Sequence, residues 1–175
     1  VSHNDLLPTL MAAAGEPDIK EKLLEGHEAA GKTFRVHLDG FNLLPYLTGE
    51  VEESPRRGFF YFSDDGDLVG LRYERWKAVF AEQRAQKFDV WRDPFVTLRA
   101  PKIFDLRMDP FERGDTDSNN YNEWWSRNAF LLAGMQAFVA QKIQTLAEFP
   151  PRQSPASFNL DQVLATMQEP GNNCR

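Results

Sequence analysis

The sequence is poorest in the residues that most often carry chemistry. Its 175 residues include one cysteine, Cys174, beside the C-terminus. One cysteine makes no internal disulfide, and the count leaves the redox compartment open. A nucleophilic thiol needs a positioned base and a shaped site. A position one residue from the end, in a tail expected to fray, supplies neither. Histidine is almost as scarce. His3, His27 and His37 are the three present, and none stands at a ligand spacing such as H-x-x-x-H. No G-x-S-x-G, Walker A or G-x-G-x-x-G sequence occurs. No run of about 18 apolar residues exists, so no segment reads as a membrane span. Excess positive charge is also missing. The formal net charge is −6, which argues against a nucleic-acid partner, since that would want a basic face.

What is present is enough to build a core. Hydrophobic residues make up 42% of the chain and aromatics 13%, well outside the range of a disordered segment. Asn4 or Asp5 can cap a helix through DLLPTLMAAAG, with Leu6, Leu7, Leu10 and Met11 on one stripe and Gly15 as its stop. EPDIKEKLLEGHEAAGK reads as a polar connector with a turn of helix. LDGFNLLPYLTGE gives a turn at Asp39-Gly40, a brief helix near Leu43–Leu47 and an end at Gly49. Three aromatic and β-branched runs follow: GFFYFS, LVGLRY and RWKAVFAE. Asp-Gly between the first two is a hairpin signal, because the turn needs a positive φ and glycine supplies it. Alternation puts Phe60 and Phe62 on one face of the first run, with Phe59 and Tyr61 on the other. Trp76, Ala78 and Phe80 share a face of the third.

QRAQKFDVWRDPFVTLRAP reads as a long irregular excursion, a feature that compact domains usually keep for function or contact. IFDLRMDPFERGD then reads as a fourth strand ended by Asp109-Pro110. Phe104, Leu106 and Met108 should face a core, with Asp105 and Arg107 outward. Glu112 and Arg113 read as a turn ion pair or contact residues. A long helix is expected next, capped by Asn120 with Glu123 and carrying an apolar stripe from Trp124 to Leu146. Gly134 is its expected weak point. FNLDQVLATMQE should form a last short amphipathic helix, and PGNNCR a frayed tail. The fold class is α+β: a small four-stranded antiparallel sheet packed by a long C-terminal helix.

Two carboxylate clusters come near the pattern of a metal loop. SDDGD (Ser63–Asp67) lacks the alternating ligands and distal Glu of an EF-hand, and the hairpin turn accounts for it. DTDSNN sets Asp115, Asp117 and Asn119 at alternate positions. However, Asn120 replaces the required Gly and Ser126 the required Glu, so helix capping explains those residues. His27 and His37 lie in polar segments and read as solvated. His3 precedes a helix start, from which it can reach a cleft.

Five stretches together resemble the C-terminal part of bacterial arylsulfatases of the formylglycine-dependent sulfatase family: VSHNDLLPTLMAAAG, LDGFNLLPYLTGE, FFYFSDDGDLVGLRYERWKAVF, IFDLRMDPFERGD and FPPRQSPASFNLDQV. Their order is the specific feature. The resemblance implies an alkaline-phosphatase-like enzyme. Residues 1–35 would be the last helix and connector of its large domain, 36–170 the C-terminal subdomain and 171–175 the tail. It also implies sulfate-ester hydrolysis by a cysteine converted to formylglycine within Cys-x-Pro/Ala-x-Arg, with a calcium ion polarising the sulfate. Those motifs would belong upstream of Val1, and the start of the chain is read as lying inside a larger protein. Cys174 does not match the motif. No catalytic or metal residue is therefore assigned here, and no cofactor is expected on this piece. The partners implied are the N-terminal sulfatase domain and the sulfate ester. Trp91, Arg92, Asp93 and Phe95 on the excursion, together with His3, are the residues that could border the ester's organic group. The rival reading is a stand-alone, non-catalytic interaction domain derived from a sulfatase.

Overall fold

The computed structural model describes residues 1–152 and 155–157. Its centre is a four-stranded antiparallel sheet with helices against one face. The strands β3 (Gly58–Phe62), β4 (Leu68–Tyr73), β5 (Trp76–Glu82) and β6 (Val96–Asp105) lie side by side in chain order. Local chemistry sets each connection. SDDGD closes the first hairpin: the Ser63 N–H donates to the Asp67 carbonyl at 2.9 Å, and Gly66 takes φ +88°. The second hairpin has a loop of only Glu74 and Arg75, with Tyr73 opposite Trp76 and Glu74 in the left-handed region.

Register then assembles the core. Phe60 pairs with Leu71, Leu71 with Ala78, and Ala78 with Ile103. Partners across an antiparallel ladder share a face, so these four form a row. Met135 closes over Leu71 and Ala78, with Trp76, Phe80, Leu132 and Val139 around them. Each large side chain fully buried in this way contributes roughly 1.5–3 kcal/mol.

The helical layer is α4 (Gly114–Asp117), α5 (Tyr121–Asn128) and α6 (Leu131–Glu148). The single long helix expected from Asn120 onward is therefore broken, at Ala129–Phe130 rather than at Gly134. The Asn128 side-chain amide donates to the Trp124 carbonyl at 2.8 Å, competing with the helix ladder at that point. Asn120 makes no side-chain cap bond. Glu123 instead pairs with Arg127 at 2.6 Å.

Two further expectations change at β6. The strand begins at Val96, inside the stretch read as irregular, and pairs Thr97 with Ala81 past a bulge between Val79 and Ala81. Pro101 obscures the strand in sequence but is tolerated because β6 is an edge strand. The strand also ends early. Asp105, expected to face outward, is 3% exposed, whereas Met108, expected inside, is 74% exposed. The Asp105 carboxylate accepts the Arg107 N–H at 3.1 Å, and its carbonyl accepts those of Met108 and Asp109. The turn thus starts at Asp105, four residues before Asp-Pro. Glu112 and Arg113 do not pair with each other. Glu112 holds Lys77 at 2.6 Å, and Arg113 holds Asp117 at 2.8 Å.

Before the sheet, a 3-10 turn at His3–Asp5 leads into α1 (Leu6–Ala13), followed by α2 (Ile19–Glu25). The connector then forms a hairpin, β1 (His27–Ala29) and β2 (Lys32–Phe34), and α3 (Leu44–Leu47) follows. Ser2 caps the 3-10 turn, whereas Asp5 holds the N-cap position of α1 without a side-chain cap bond. The leucine stripe of α1 is turned outward: Leu6, Leu7 and Leu10 are exposed, and the buried residues are Asp5 and Pro8. The helix read over FNLDQVLATMQE, the tail and Cys174 lie outside the described residues.

Candidate functional site

The second face of the sheet carries a cleft organised by charge. Asp5, fully buried, receives N–H groups from Ser2 at 2.7 Å and Phe41 at 2.9 Å. The Arg56 guanidinium grips both of its carboxylate oxygens, Nε at 2.6 Å. Arg56 also donates to the Gly58 and Asp39 carbonyls and lies 4.9 Å from the Phe41 ring centroid. Burial pushes the Asp5 carboxyl up. The Arg56 hydrogen bonds and the two backbone N–H groups outweigh that and hold it below the usual carboxylate value. Six hydrogen bonds thus tie the first residues, the Asp39–Phe41 segment and β3 together. The fit depends on Gly40, where a Cβ would lie 1.9 Å from the Asn4 carbonyl oxygen.

Beside this clasp opens a cleft of about 890 Å³, lined by His3, Leu6, Arg57, Phe59, Tyr61 and Arg72 among others. His3 is accordingly placed at a cleft. Arg57 is met by Glu53 at 2.9 Å and by Glu74 at 3.7 Å, so its charge is already balanced.

Trp91, Arg92 and Phe95 lie elsewhere, and none of them lines that cleft. They belong to the β5–β6 connection, where a 3-10 turn spans Lys87–Trp91. Residues 86–95 are all exposed. Trp91 is 78% and Phe88 65% exposed, a large apolar area to leave in water. The Arg92 guanidinium lies 5.0 Å from the Phe88 centroid, and the Gln83 amide donates to the Asp93 carbonyl at 2.7 Å. The connection is therefore a shaped projection of aromatic rings and one guanidinium. Its base is braced by Lys102, which bridges Glu82 and Asp115, each at 2.5 Å. Burial pulls the Lys102 ammonium down, but the two carboxylates outweigh it and raise it above the usual amine value. The Lys102 hydrogen bond in turn lowers Glu82.

A third polar cluster joins α6 to the extended segment at Asp39. Lys142, 8% exposed, reaches Asp39, whose other oxygen lies 3.2 Å from His37 Nδ1. His37, read as solvated, is half-buried against Phe149 at 5.9 Å. Sequence reading missed Asp5, Arg56 and Lys142. Asp5 looks like an ordinary cap, and no local pattern links it to an arginine 51 residues away. Lys142 did leave a trace: it interrupts the apolar stripe of α6 between Val139 and Leu146.

Among the described residues, no three His, Cys, Asp or Glu side chains stand close enough to hold a metal ion.

No family model matches the chain. In sequence it is similar to arylsulfatase A of Homo sapiens, 30% identical over 155 residues, covering 82% of this chain and 24% of that protein. The chain thus spans about a quarter of the length of the curated relative it matches. In fold it is similar to the crystal structure of the PsFucS1 sulfatase from Pseudoalteromonas sp. That match has a TM-score of 0.48 and 22% identity, over 67% of this chain and 22% of that one. The sequence likeness bears out the resemblance to the C-terminal part of a sulfatase.

Proposed function

From a chain related in sequence to arylsulfatases, we propose that it serves as the C-terminal portion of a longer enzyme that hydrolyses sulfate esters. The observation that carries this reading is the 30% identity to arylsulfatase A over 155 residues. This portion supports the fold and borders the substrate; it does not cleave the ester. The β5–β6 projection is the part suited to that task. An exposed indole offers a flat apolar surface for an organic group. Arg92, whose ion pair with Asp89 is long at 3.8 Å, offers a planar donor for a sulfate oxygen.

Formylglycine and calcium would supply the nucleophile and the Lewis acid from the rest of the enzyme. Among the described residues, none is assigned to either group. The one cysteine, Cys174, lies outside the described residues. No metal-holding cluster is assembled among the described residues.

Two measurements test the reading. The 175-residue chain alone is expected to leave a chromogenic aryl sulfate intact; calcium-dependent turnover by the pure chain would overturn it. In the full-length enzyme, Trp91→Ala is expected to lower kcat/KM across several aryl sulfates. Unchanged values would remove the β5–β6 projection from the substrate site while leaving the enzyme assignment standing. The coding sequence upstream of Val1 separates this reading from a stand-alone interaction domain, for which no Cys-x-Pro/Ala-x-Arg would be found there.

A further inference from the structure

Edge strand β3, helix α6 and the segment 37–41 enclose a second cleft, of about 530 Å³, within the size range of small-molecule sites. No residue of the β5–β6 projection lines it. Its walls are aromatic. Phe138 stacks on Tyr73 with ring centroids 4.5 Å apart, and Phe41 and Phe62 extend the lining. Phe41, Phe62 and Phe138 are all exposed, and covering such rings lowers the free energy.

The polar end of the cleft holds more positive than negative charge. Lys20 on α2 and Lys142 on α6 converge on neighbouring residues. The Lys20 ammonium donates to the Gly40 carbonyl at 2.7 Å and lies 5.0 Å from the Phe41 centroid, while Lys142 holds Asp39. Arg56 is answered by Asp5, and Arg57 by Glu53 and Glu74. Asp39 is the one acidic residue among the described residues that line the cleft, so two ammonium groups share a single carboxylate. Lys142 is 8% exposed and has given up most of its water. An ammonium offers three N–H donors, yet Asp39 is its one hydrogen-bond acceptor among the described residues. A charge buried in this way gains from further acceptors. Its ammonium also lies 5.9 Å from the Phe62 centroid, where the charged end of the cleft meets the aromatic wall.

We propose that this cleft binds a small aromatic monoanion, a flat ring system bearing one carboxylate, sulfonate or sulfate group. The oxyanion accepts hydrogen bonds from the Lys142 and Lys20 ammonium groups, and the charge on both partners makes those bonds strong. The ring lies against Phe62 and Phe138 in offset-stacked or edge-on contact. One surplus positive charge matches one negative charge, and the low-dielectric walls strengthen the attraction. A neutral aromatic would leave the ammonium donors unanswered. An aliphatic anion would leave the rings in water. The cleft therefore selects for the two features together. No bond is made or broken here, and the site stands whether or not the longer enzyme cleaves sulfate esters.

The probe is naphthalene-2-sulfonate, with 2-naphthalenemethanol as its neutral counterpart. Each is titrated into the isotope-labelled full chain and followed by amide chemical shifts. The sulfonate is expected to bind roughly tenfold more tightly than the alcohol, or better, with shifts centred on residues 37–41 and 138–145. Lys142→Met should weaken sulfonate binding roughly tenfold and Lys20→Met roughly threefold, with alcohol binding held within about twofold. Phe138→Ala should weaken both probes. The surface control Arg127→Met, which also removes one positive charge, should change neither. Lys142→Met disturbs the contact between α6 and Asp39, so Lys20→Met decides the matter. Its urea midpoint, unchanged from that of the unaltered chain, shows that it is folded. Equal affinity for the two probes, shifts centred outside the cleft, or sulfonate binding unchanged in Lys20→Met would each overturn the proposal.

Discussion

The N-terminal segment and the β5–β6 connection both break the usual rule of burial, in opposite directions. The first takes a carboxylate wholly out of water while leaving Leu6, Leu7 and Leu10 at its surface. The second leaves Phe88 and Trp91 in water, with every residue from 86 to 95 exposed. The difference lies in what each region can satisfy within itself. Asp5 has Arg56 and two backbone N–H groups, so its burial is compensated and the segment becomes a fixed joint. The aromatic rings of the connection have few partners among the described residues. Buried charge here marks an anchor, and the exposed aromatic area is what the proposed substrate contact rests on.

The largest effect that could break this contrast comes from removing the partner of Asp5. Arg56→Met should leave an uncompensated buried carboxylate and lower stability by roughly 3–5 kcal/mol, read from urea denaturation. A loss below about 1 kcal/mol, the range of an exposed ion pair, would mean that the clasp is no anchor. Next is Gly40→Ala. Its Cβ would meet the Asn4 carbonyl oxygen at 1.9 Å, so the first residues must move aside at a cost of about 1–3 kcal/mol. Proteolysis near the N-terminus should quicken accordingly.

Acid sharpens the same contrast. The folded Asp5 carboxyl lies below its ordinary value of 3.8, the value expected of the unfolded chain. Its contribution to stability is therefore fully present above that pH and is lost as pH falls through the folded value. Denaturation midpoints measured downward from pH 6 should fall less steeply in Asp5→Asn than in the unaltered chain. The smallest effect on stability belongs to Trp91→Ala. An exposed indole without a buried contact should change stability by no more than about 0.5 kcal/mol, while kcat/KM of the full-length enzyme drops. A large loss of stability would show that Trp91 belongs to the fold.

Much of the fold was legible along the chain. The three aromatic runs, the Asp-Gly hairpin and the faces of Phe60 and Ala78 follow from period-two alternation and turn chemistry. These act between near neighbours. The errors share one cause. Asp105 and Met108 were assigned by continuing that alternation through a turn that the Asp105 side chain itself begins. The helix break came from Asn128 rather than from Gly134, because a side-chain bond to a carbonyl outweighed an intrinsic propensity. Of the candidate residues, Trp91, Arg92 and Phe95, read from a long stretch without periodicity, lie on the exposed β5–β6 connection, and His3 lines a cleft apart from them.

By itself the sequence determined the strands β3, β4 and β5, their tight connections and the likeness to arylsulfatases. Each rests on patterns that repeat within a few residues or on the order of recognisable stretches. Only the tertiary structure decided that Asp5 meets Arg56, that Lys142 meets Asp39 and that the leucines of α1 face outward. Those pairings join residues 51 and 103 positions apart. A buried charge is stable only where the folded chain brings its partner, and no local pattern specifies that meeting.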